Sequence, residues 1–126
     1  MAKYIIDSSA WVEYLTGSKR AEPLKKYFEE GGLFTTPVCV AEIIAKVAKE
    51  GLSVENAKNS IHTHSAILAF DFSTAVEAGT TYAELRKTKP KIALSDAITI
   101  VLARNIKAKI LTFDNDFRNI QEAIVF

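Results

Sequence analysis

Residues 4–11 read Tyr-Ile-Ile-Asp-Ser-Ser-Ala-Trp, a short apolar run that stops at an acid and passes directly into a helical pattern. The apolar run predicts a β-strand at residues 3–6. Ser9 is a residue type that caps helix N-termini, and Gly17 interrupts the pattern that follows, so we expect a helix over residues 9–15. A strand that leads at once into a helix is the first half of a βα unit.

The same alternation continues along the chain. Apolar runs predict four further strands at residues 33–35, 67–70, 109–112 and 124–126. Helical patterns lie between most of them, at residues 21–30, 38–49, about 53–64, about 73–87 and about 95–104. Strands that alternate with helices indicate an α/β fold with a parallel sheet. We find no repeat or long linker, so residues 1–126 are expected to form one domain.

Composition excludes several classes of protein. Hydrophobic residues make up 48% and charged residues 25% of the chain, which is ordinary for a folded domain. The formal net charge is +1, so nucleic-acid binding would depend on a local site rather than on a global field. Cys39 is the single cysteine and is expected to be a small buried hydrophobe. The sequence shows no signal peptide or apolar span, so we expect a cytoplasmic, reducing setting and no membrane partner.

Two acids directly follow predicted strands. Asp7 comes after the first strand and Asp114 after the fourth. In open α/β sheets, ligands bind outside the carboxyl ends of the strands, so both side chains are expected at that edge. Two other acids stand in apolar surroundings: Glu42 lies within residues 38–44, and Asp96 starts a strongly apolar helix. A carboxylate in such surroundings requires a partner, and a cation would supply one.

Each acid also has an ordinary structural explanation. Asp7, Asp96 and Asp114 could cap helices or occupy first turns, where the helix dipole favours acids. Glu42 could be solvated or could pair with Lys46, one turn later on the same helix. A set of four acids at one crevice instead favours a site for Mg²⁺ or Mn²⁺, since these ions prefer oxygen ligands. Carboxylate-held divalent ions can activate water and neutralise a leaving oxygen in phosphodiester hydrolysis.

Four segments together resemble the PIN domain family: residues 4–11, 36–43, 96–98 and 111–117. The resemblance covers nearly the whole chain, whose length is similar to that of VapC-type toxins of toxin–antitoxin pairs. It implies a five-stranded parallel sheet in the order 3-2-1-4-5 and endonucleolytic cleavage of RNA with Mg²⁺ or Mn²⁺. It also implies a homodimer and, for the toxin branch, inhibition by a cognate VapB-type antitoxin.

Matching motif positions assign roles by resemblance. The family's acidic quartet, which binds the metal and performs catalysis, corresponds to Asp7, Glu42, Asp96 and Asp114. Ser9 and Thr112 match supporting polar positions. Asp116 matches an acidic position that is expected to orient the metal ligands without binding the metal itself. The sequence leaves open whether one or two ions bind. Residues 89–92 lack the glycine expected before Asp96, so this sequence departs from the family pattern in the loop on the substrate side.

Basic residues precede Asp96 in the sequence: Arg86, Lys87, Lys89 and Lys91. They are candidates for contacts with the RNA backbone, although such residues more often form a solvated surface. Trp11 is expected to serve core or dimer packing rather than base stacking.

Two other functions fit the same fold. A PIN-like domain could act only as a binding or scaffolding module. A phosphoacceptor signalling domain would need an acidic pair after the first strand and a late lysine, whereas Ser8 and Ser9 follow Asp7 and the late strand ends in Thr112.

Overall fold

Five parallel strands form one sheet in the order β3-β2-β1-β4-β5, in a computed structural model that describes residues 2–126. This confirms the predicted fold class and strand order. The strands are β1 (Tyr4–Ile6), β2 (Leu33–Thr35), β3 (Ala66–Ile67), β4 (Lys109–Thr112) and β5 (Ala123–Val125). The order reverses at β1, so the crevice between the ends of β1 and β4 is where the topology places a ligand site.

The centre of the sheet carries the two halves of the core. β1 pairs with β4 so that Ile5 lies opposite Ile110 and Ile6 opposite Leu111. Successive side chains of a strand point to opposite faces, so one isoleucine and its partner serve each face. Ile5 and Ile110 belong to one buried cluster, while Ile6 and Leu111 belong to the other. Burial on both faces explains why these strands are uninterrupted apolar runs.

Helices cover both faces of the sheet. α1 packs against α3, and α3 against α4; on the other face α5 packs against α6. The helices are α1 (Ser8–Leu15), α2 (Lys25–Glu30), α3 (Pro37–Lys49), α4 (Val54–His64), α5 (Phe72–Leu85) and α6 (Leu94–Ile106), with 3₁₀ helices at Lys19–Leu24 and Asn115–Phe117. Within residues 2–126, no helix is long and apolar enough to cross a bilayer.

Side-chain caps fix where three of the helices begin. The hydroxyl of Thr36 accepts a hydrogen bond from the backbone N–H of Cys39, and that of Ser53 accepts from Asn56. The Asp71 carboxylate accepts from the backbone N–H of Thr74 at 2.9 Å. Such caps satisfy N–H groups that have no partner within the helix. The Thr36 cap, followed by Pro37, also sets the position of Glu42 along α3.

Several predicted boundaries were wrong. The predicted helix at 21–30 is a 3₁₀ helix followed by α2, because Pro23 has no N–H to donate within a longer α-helix. The predicted strand at 67–70 is only the exposed edge strand β3. The helix expected from Ser73 begins at Phe72, because Asp71 is its cap, and α6 begins before Ser95 and ends at Ile106. Other ends differ from the predictions by one or two residues, which is the usual uncertainty of helix and strand ends.

Candidate active site

A cleft of about 510 Å³ opens at the carboxyl edge of β1 and β4. All four acids singled out from the sequence line it. The acidic residues of the lining are Asp7, Glu13, Glu42, Asp96, Asp114 and Asp116, and the basic ones are Arg20, Lys46 and Lys91. The fold therefore gathers carboxylates from the segments after β1 and β4 and from α1, α3 and α6 around one opening.

Asp7 is the most deeply buried acid of the cleft, with only 3% of its surface exposed. Its Oδ2 accepts hydrogen bonds from the Thr112 hydroxyl at 2.8 Å and the Ser9 hydroxyl at 2.9 Å. Its Oδ1 lies 4.0 Å from the sulfur of the buried Cys39. Burial raises the pKa of Asp7, and the two hydroxyl donors lower it in part. Asp7 occupies the N-cap position of α1, but its side chain makes no capping hydrogen bond, so the cap explanation fails here.

The hydroxyls of Ser9 and Thr112 also hold the segment after β4. Ser9 Oγ accepts from the backbone N–H of Phe113, and Thr112 Oγ1 accepts from that of Asp114, both at 3.0 Å. One Asp114 oxygen, Oδ1, accepts from the backbone N–H of Asp116 at 2.8 Å and so caps the short 3₁₀ helix. The two hydroxyls therefore link Asp7 to the segment that carries Asp114.

Asp96 and Glu42 come from helices on opposite faces of the sheet. Asp96 Oδ2 accepts from the backbone N–H of Ala93 at 2.9 Å, as a first-turn acid of α6. Burial raises the pKa of Asp96 to about 7, and the negative charges of Asp7, Asp114 and Glu42 add to the shift. Glu42 Oε2 accepts from the Ser95 hydroxyl at 3.1 Å.

The expected alternative partner of Glu42 does not pair with it. Lys46 Nζ lies 3.6 Å from an oxygen of Glu50, so the proposed Glu42–Lys46 pair is wrong. More generally, within residues 2–126 no lysine or arginine forms an ion pair with any of the four acids. The quartet is therefore a group of carboxylates that lacks a protein cation.

The donor chemistry of these residues fits a divalent cation of the Mg²⁺ class. Each of the four carboxylates has one oxygen held by a protein donor. In the described part of the chain, the second oxygens of Glu42, Asp96 and Asp114 accept no hydrogen bond. Residues 2–126 nevertheless contain no group of three acids, histidines or cysteines already close enough to form a coordination shell. The ligand set is thus present in the cleft, and side-chain rotation would be needed to bring it around an ion.

The family model for the PIN domain matches residues 4–123. The chain belongs to the PIN domain family. No curated protein matches the sequence.

Solved structures with this PIN fold include toxin–antitoxin proteins. A toxin–antitoxin complex from Klebsiella pneumoniae matches at 17% identity with a TM-score of 0.72, covering 98% of this chain and 97% of that one. DNA-bound VapBC from Salmonella typhimurium matches at 17% identity with a TM-score of 0.75, covering 100% of this chain and 98% of that one. VapC20 of Mycobacterium tuberculosis, a sarcin–ricin loop cleaving toxin, matches at 14% identity with a TM-score of 0.74. The match covers 95% of this chain and 96% of that one. At such identities the likeness shows a shared fold.

Among the basic residues predicted to contact RNA in this PIN domain, only Lys91 lines the cleft. Arg86 donates to the Tyr82 hydroxyl at 2.6 Å, and Lys87 pairs with Glu84 at 3.0 Å. Lys89 donates to the backbone carbonyl of Arg118. These three side chains contact residues outside the cleft lining.

Sequence reasoning did not assign the cations Arg20 and Lys46 to the cleft, but it placed the aromatic residue Trp11 correctly. Both Arg20 and Lys46 line the cleft. Lys46 lies one turn after Glu42 on α3, whereas no local pattern marks Arg20, because the tertiary fold brings it there. Trp11 is fully buried and donates from Nε1 to the Thr35 hydroxyl at 3.0 Å. This position agrees with the core-packing role expected for Trp11 and leaves no free face for a base.

Proposed function

We propose that this PIN domain, formed by residues 1–126, is a divalent-metal-dependent endoribonuclease. One observation carries the proposal: four carboxylates from separate elements line one cleft at the switch point of the sheet, and within residues 2–126 none of them forms an ion pair with a lysine or arginine. Such an arrangement costs folding free energy through like-charge repulsion and desolvation. Retaining it is expected where stability is exchanged for activity.

The four acids of the cleft are the proposed metal ligands. Asp7, Glu42, Asp96 and Asp114 would hold one or two Mg²⁺ or Mn²⁺ ions. When bound, these ions would supply an activated water and charge neutralisation at the leaving oxygen of an RNA phosphodiester.

The supporting polar groups orient that ligand set. Thr112 and Ser9 fix the orientation of Asp7 by donating to its Oδ2. Asp116 would orient Asp114, because the backbone N–H of Asp116 donates a hydrogen bond to Asp114 Oδ1. Oriented ligands bind a metal more tightly than freely rotating ones.

The toxin role is the finer part of the proposal. The match in fold and length to VapC-type proteins supports a cytoplasmic toxin that a VapB-type antitoxin inhibits. A homodimer is proposed as well. Phe72, with 85% of its surface exposed, and Val76 are apolar side chains on α5 that a second copy could cover. Production of the protein with and without the product of the neighbouring reading frame tests the toxin role, since a cognate antitoxin must abolish cleavage.

A cleavage assay tests the nuclease itself. Purified protein is incubated with single-stranded and structured RNAs in Mn²⁺ or in EDTA, together with Asp96→Asn and the matched control Asp71→Asn. Asp71 is an exposed helix cap outside the cleft, and asparagine caps a helix about as well as aspartate does. We expect the parent and Asp71→Asn to cleave only with Mn²⁺, and Asp96→Asn to be inactive. A parent that binds RNA but never cleaves it would instead be a binding module.

A further inference from the structure

Arg20 is held against the segment that carries Asp114. It lies in the 3₁₀ helix Lys19–Leu24, and its guanidinium carbon sits 4.9 Å from the centroid of the Phe113 ring. Phe113 is the residue directly before Asp114, and its backbone N–H donates to Ser9 Oγ. A guanidinium over an aromatic face is attracted by the ring and keeps its plane and position. The charge of Arg20 is therefore placed at the cleft by packing.

Most hydrogen-bond donors of Arg20 remain available. Nη1 donates to Glu13 Oε1 at 3.2 Å, and within residues 2–126 this is the one hydrogen bond of the guanidinium. The side chain is 62% exposed, so the ion pair with Glu13 adds little stability. A guanidinium has five N–H donors in a fixed fork that matches two oxygens of a phosphate. The remaining N–H donors of the Arg20 guanidinium are therefore available to bind a phosphate.

The excess of negative charge in the cleft explains why a cation is needed there to bind a phosphodiester. Six carboxylates and three basic side chains line it, a formal balance of −3 when all are ionised. A phosphodiester that approaches the carboxylates is repelled unless cations offset their charge. Of the two lysines, Lys46 is paired with Glu50, and both sit on flexible four-carbon stems. Arg20 is the cation of the cleft that the structure holds in place.

We propose that Arg20 binds a backbone phosphate of the RNA substrate, and that Phe113 and Glu13 hold its guanidinium for that contact. The inference rests on the proposed function for the identity of the polyanion. Because the contact with Phe113 joins distant parts of the chain, no local sequence pattern could have indicated it.

RNA binding under conditions that prevent cleavage tests this role. The probe is a short fluorescein-labelled single-stranded RNA, followed by anisotropy across a salt series, once in EDTA and once in Ca²⁺. The proteins are the parent, Arg20→Ala, Arg20→Lys and Lys19→Ala. Lys19 is the exposed neighbour outside the cleft lining, so its variant loses the same charge from an adjacent position.

We expect Arg20→Ala to bind about 10–100-fold more weakly than the parent and to lower the salt slope by about 0.7–1, as the loss of one phosphate contact predicts. Arg20→Lys should recover part of the affinity, and Lys19→Ala should match the parent. In Mn²⁺, Arg20→Ala should raise KM more than it lowers kcat, because the contact is made before the chemical step.

Two results would overturn the assignment: a parent that does not bind the RNA, or an Arg20→Ala protein whose affinity and salt slope equal those of Lys19→Ala. A fall in melting temperature without a change in RNA affinity would show that Arg20 only supports Phe113. A parent that binds through Arg20 but does not cleave in Mn²⁺ would refute the nuclease and leave the phosphate contact standing.

Discussion

The Thr112 hydroxyl donates a buried 2.8 Å hydrogen bond to Asp7 Oδ2, and so joins the carboxyl ends of β4 and β1. The same hydroxyl accepts from the backbone N–H of Asp114 at 3.0 Å. One side chain therefore orients two members of the acidic quartet. The Asp7–Thr112 contact is the structural basis for the first prediction.

Removal of the Thr112 hydroxyl should weaken metal binding. Thr112→Val leaves Asp7 without a donor that lowers its pKa and leaves the Asp114 N–H without its acceptor. We expect a loss of about 10–100-fold in Mn²⁺ affinity or cleavage rate, the usual effect of removing a group that orients a metal ligand. Thr112→Ser retains the hydroxyl and serves as the control. Equal activity of the valine and serine variants would show that the hydrogen bond has no role in function.

Asp116 should matter less than Asp114. The structure connects Asp116 to Asp114 through its backbone N–H, a contact that Asp116→Asn retains. The variant removes only the charge of a carboxylate that lines the cleft, so we expect Asp116→Asn to lose at most about 10–100-fold in activity and Asp114→Asn to lose more. Rates measured across a Mn²⁺ titration distinguish weaker binding from slower chemistry. Complete loss in both variants would make Asp116 a direct ligand.

The metal-free protein should lose stability as pH rises. Burial raises the pKa of Asp96 from 3.8 to about 7, so the folded state holds this proton more tightly than the unfolded chain. The free energy of unfolding should therefore fall between pH 3.8 and about 7 and stay low above that range. Asp7, whose pKa is also raised, changes stability in the same direction.

Urea unfolding in EDTA at about pH 5 and about pH 8 measures this loss. Asp96→Asn should reduce it, since the amide cannot ionise. Asp71→Asn is the control, because the pKa of Asp71 is lowered and its contribution to stability is lost only as pH falls. An Asp96→Asn protein that loses as much stability as the parent would assign the pH dependence to other groups.

Cleavage should require Mg²⁺ or Mn²⁺ and should leave a 3′-hydroxyl and a 5′-phosphate. An ion held by the quartet would supply an activated water as the nucleophile, in place of the ribose 2′-hydroxyl. End-labelling of the products and their analysis before and after phosphatase treatment identify the ends. Activity that persists in EDTA, or products that carry a 2′,3′-cyclic phosphate, would contradict the mechanism.

Local patterns of the sequence were sufficient for most of the fold. The apolar runs of β1 and β4 marked the buried centre of the sheet, and the acids directly after them marked its ligand-binding edge. The edge strand β3 was misplaced because the apolar run continues to Phe70, whereas only Ala66 and Ile67 pair with β2. The 3₁₀ helix around Pro23 was missed because helical spacing does not distinguish a 3₁₀ helix from a short α-helix.

The acidic quartet of the cleft could be predicted, but the position of Arg20 beside it could not. Asp7 and Asp114 stand next to strands, and Glu42 and Asp96 are acids in apolar segments, so each has a local signal. Arg20 has none. It reaches the cleft through its tertiary contact with Phe113, and the basic run before Asp96, which looked more suggestive, contributes only Lys91 to the cleft.

The proposed metal site at the acidic quartet is tested by the melting temperatures of the parent and Asp7→Asn, each measured in EDTA and in excess Mn²⁺. In EDTA the variant should be at least as stable as the parent, because it removes a buried like charge while its amide oxygen can still accept from Thr112 and Ser9. Mn²⁺ should raise the melting temperature of the parent, since the ion binds only the folded state, and the variant should lose most of that gain. A parent whose melting temperature does not respond to millimolar Mn²⁺, together with a variant less stable than the parent in EDTA, would contradict the proposed site.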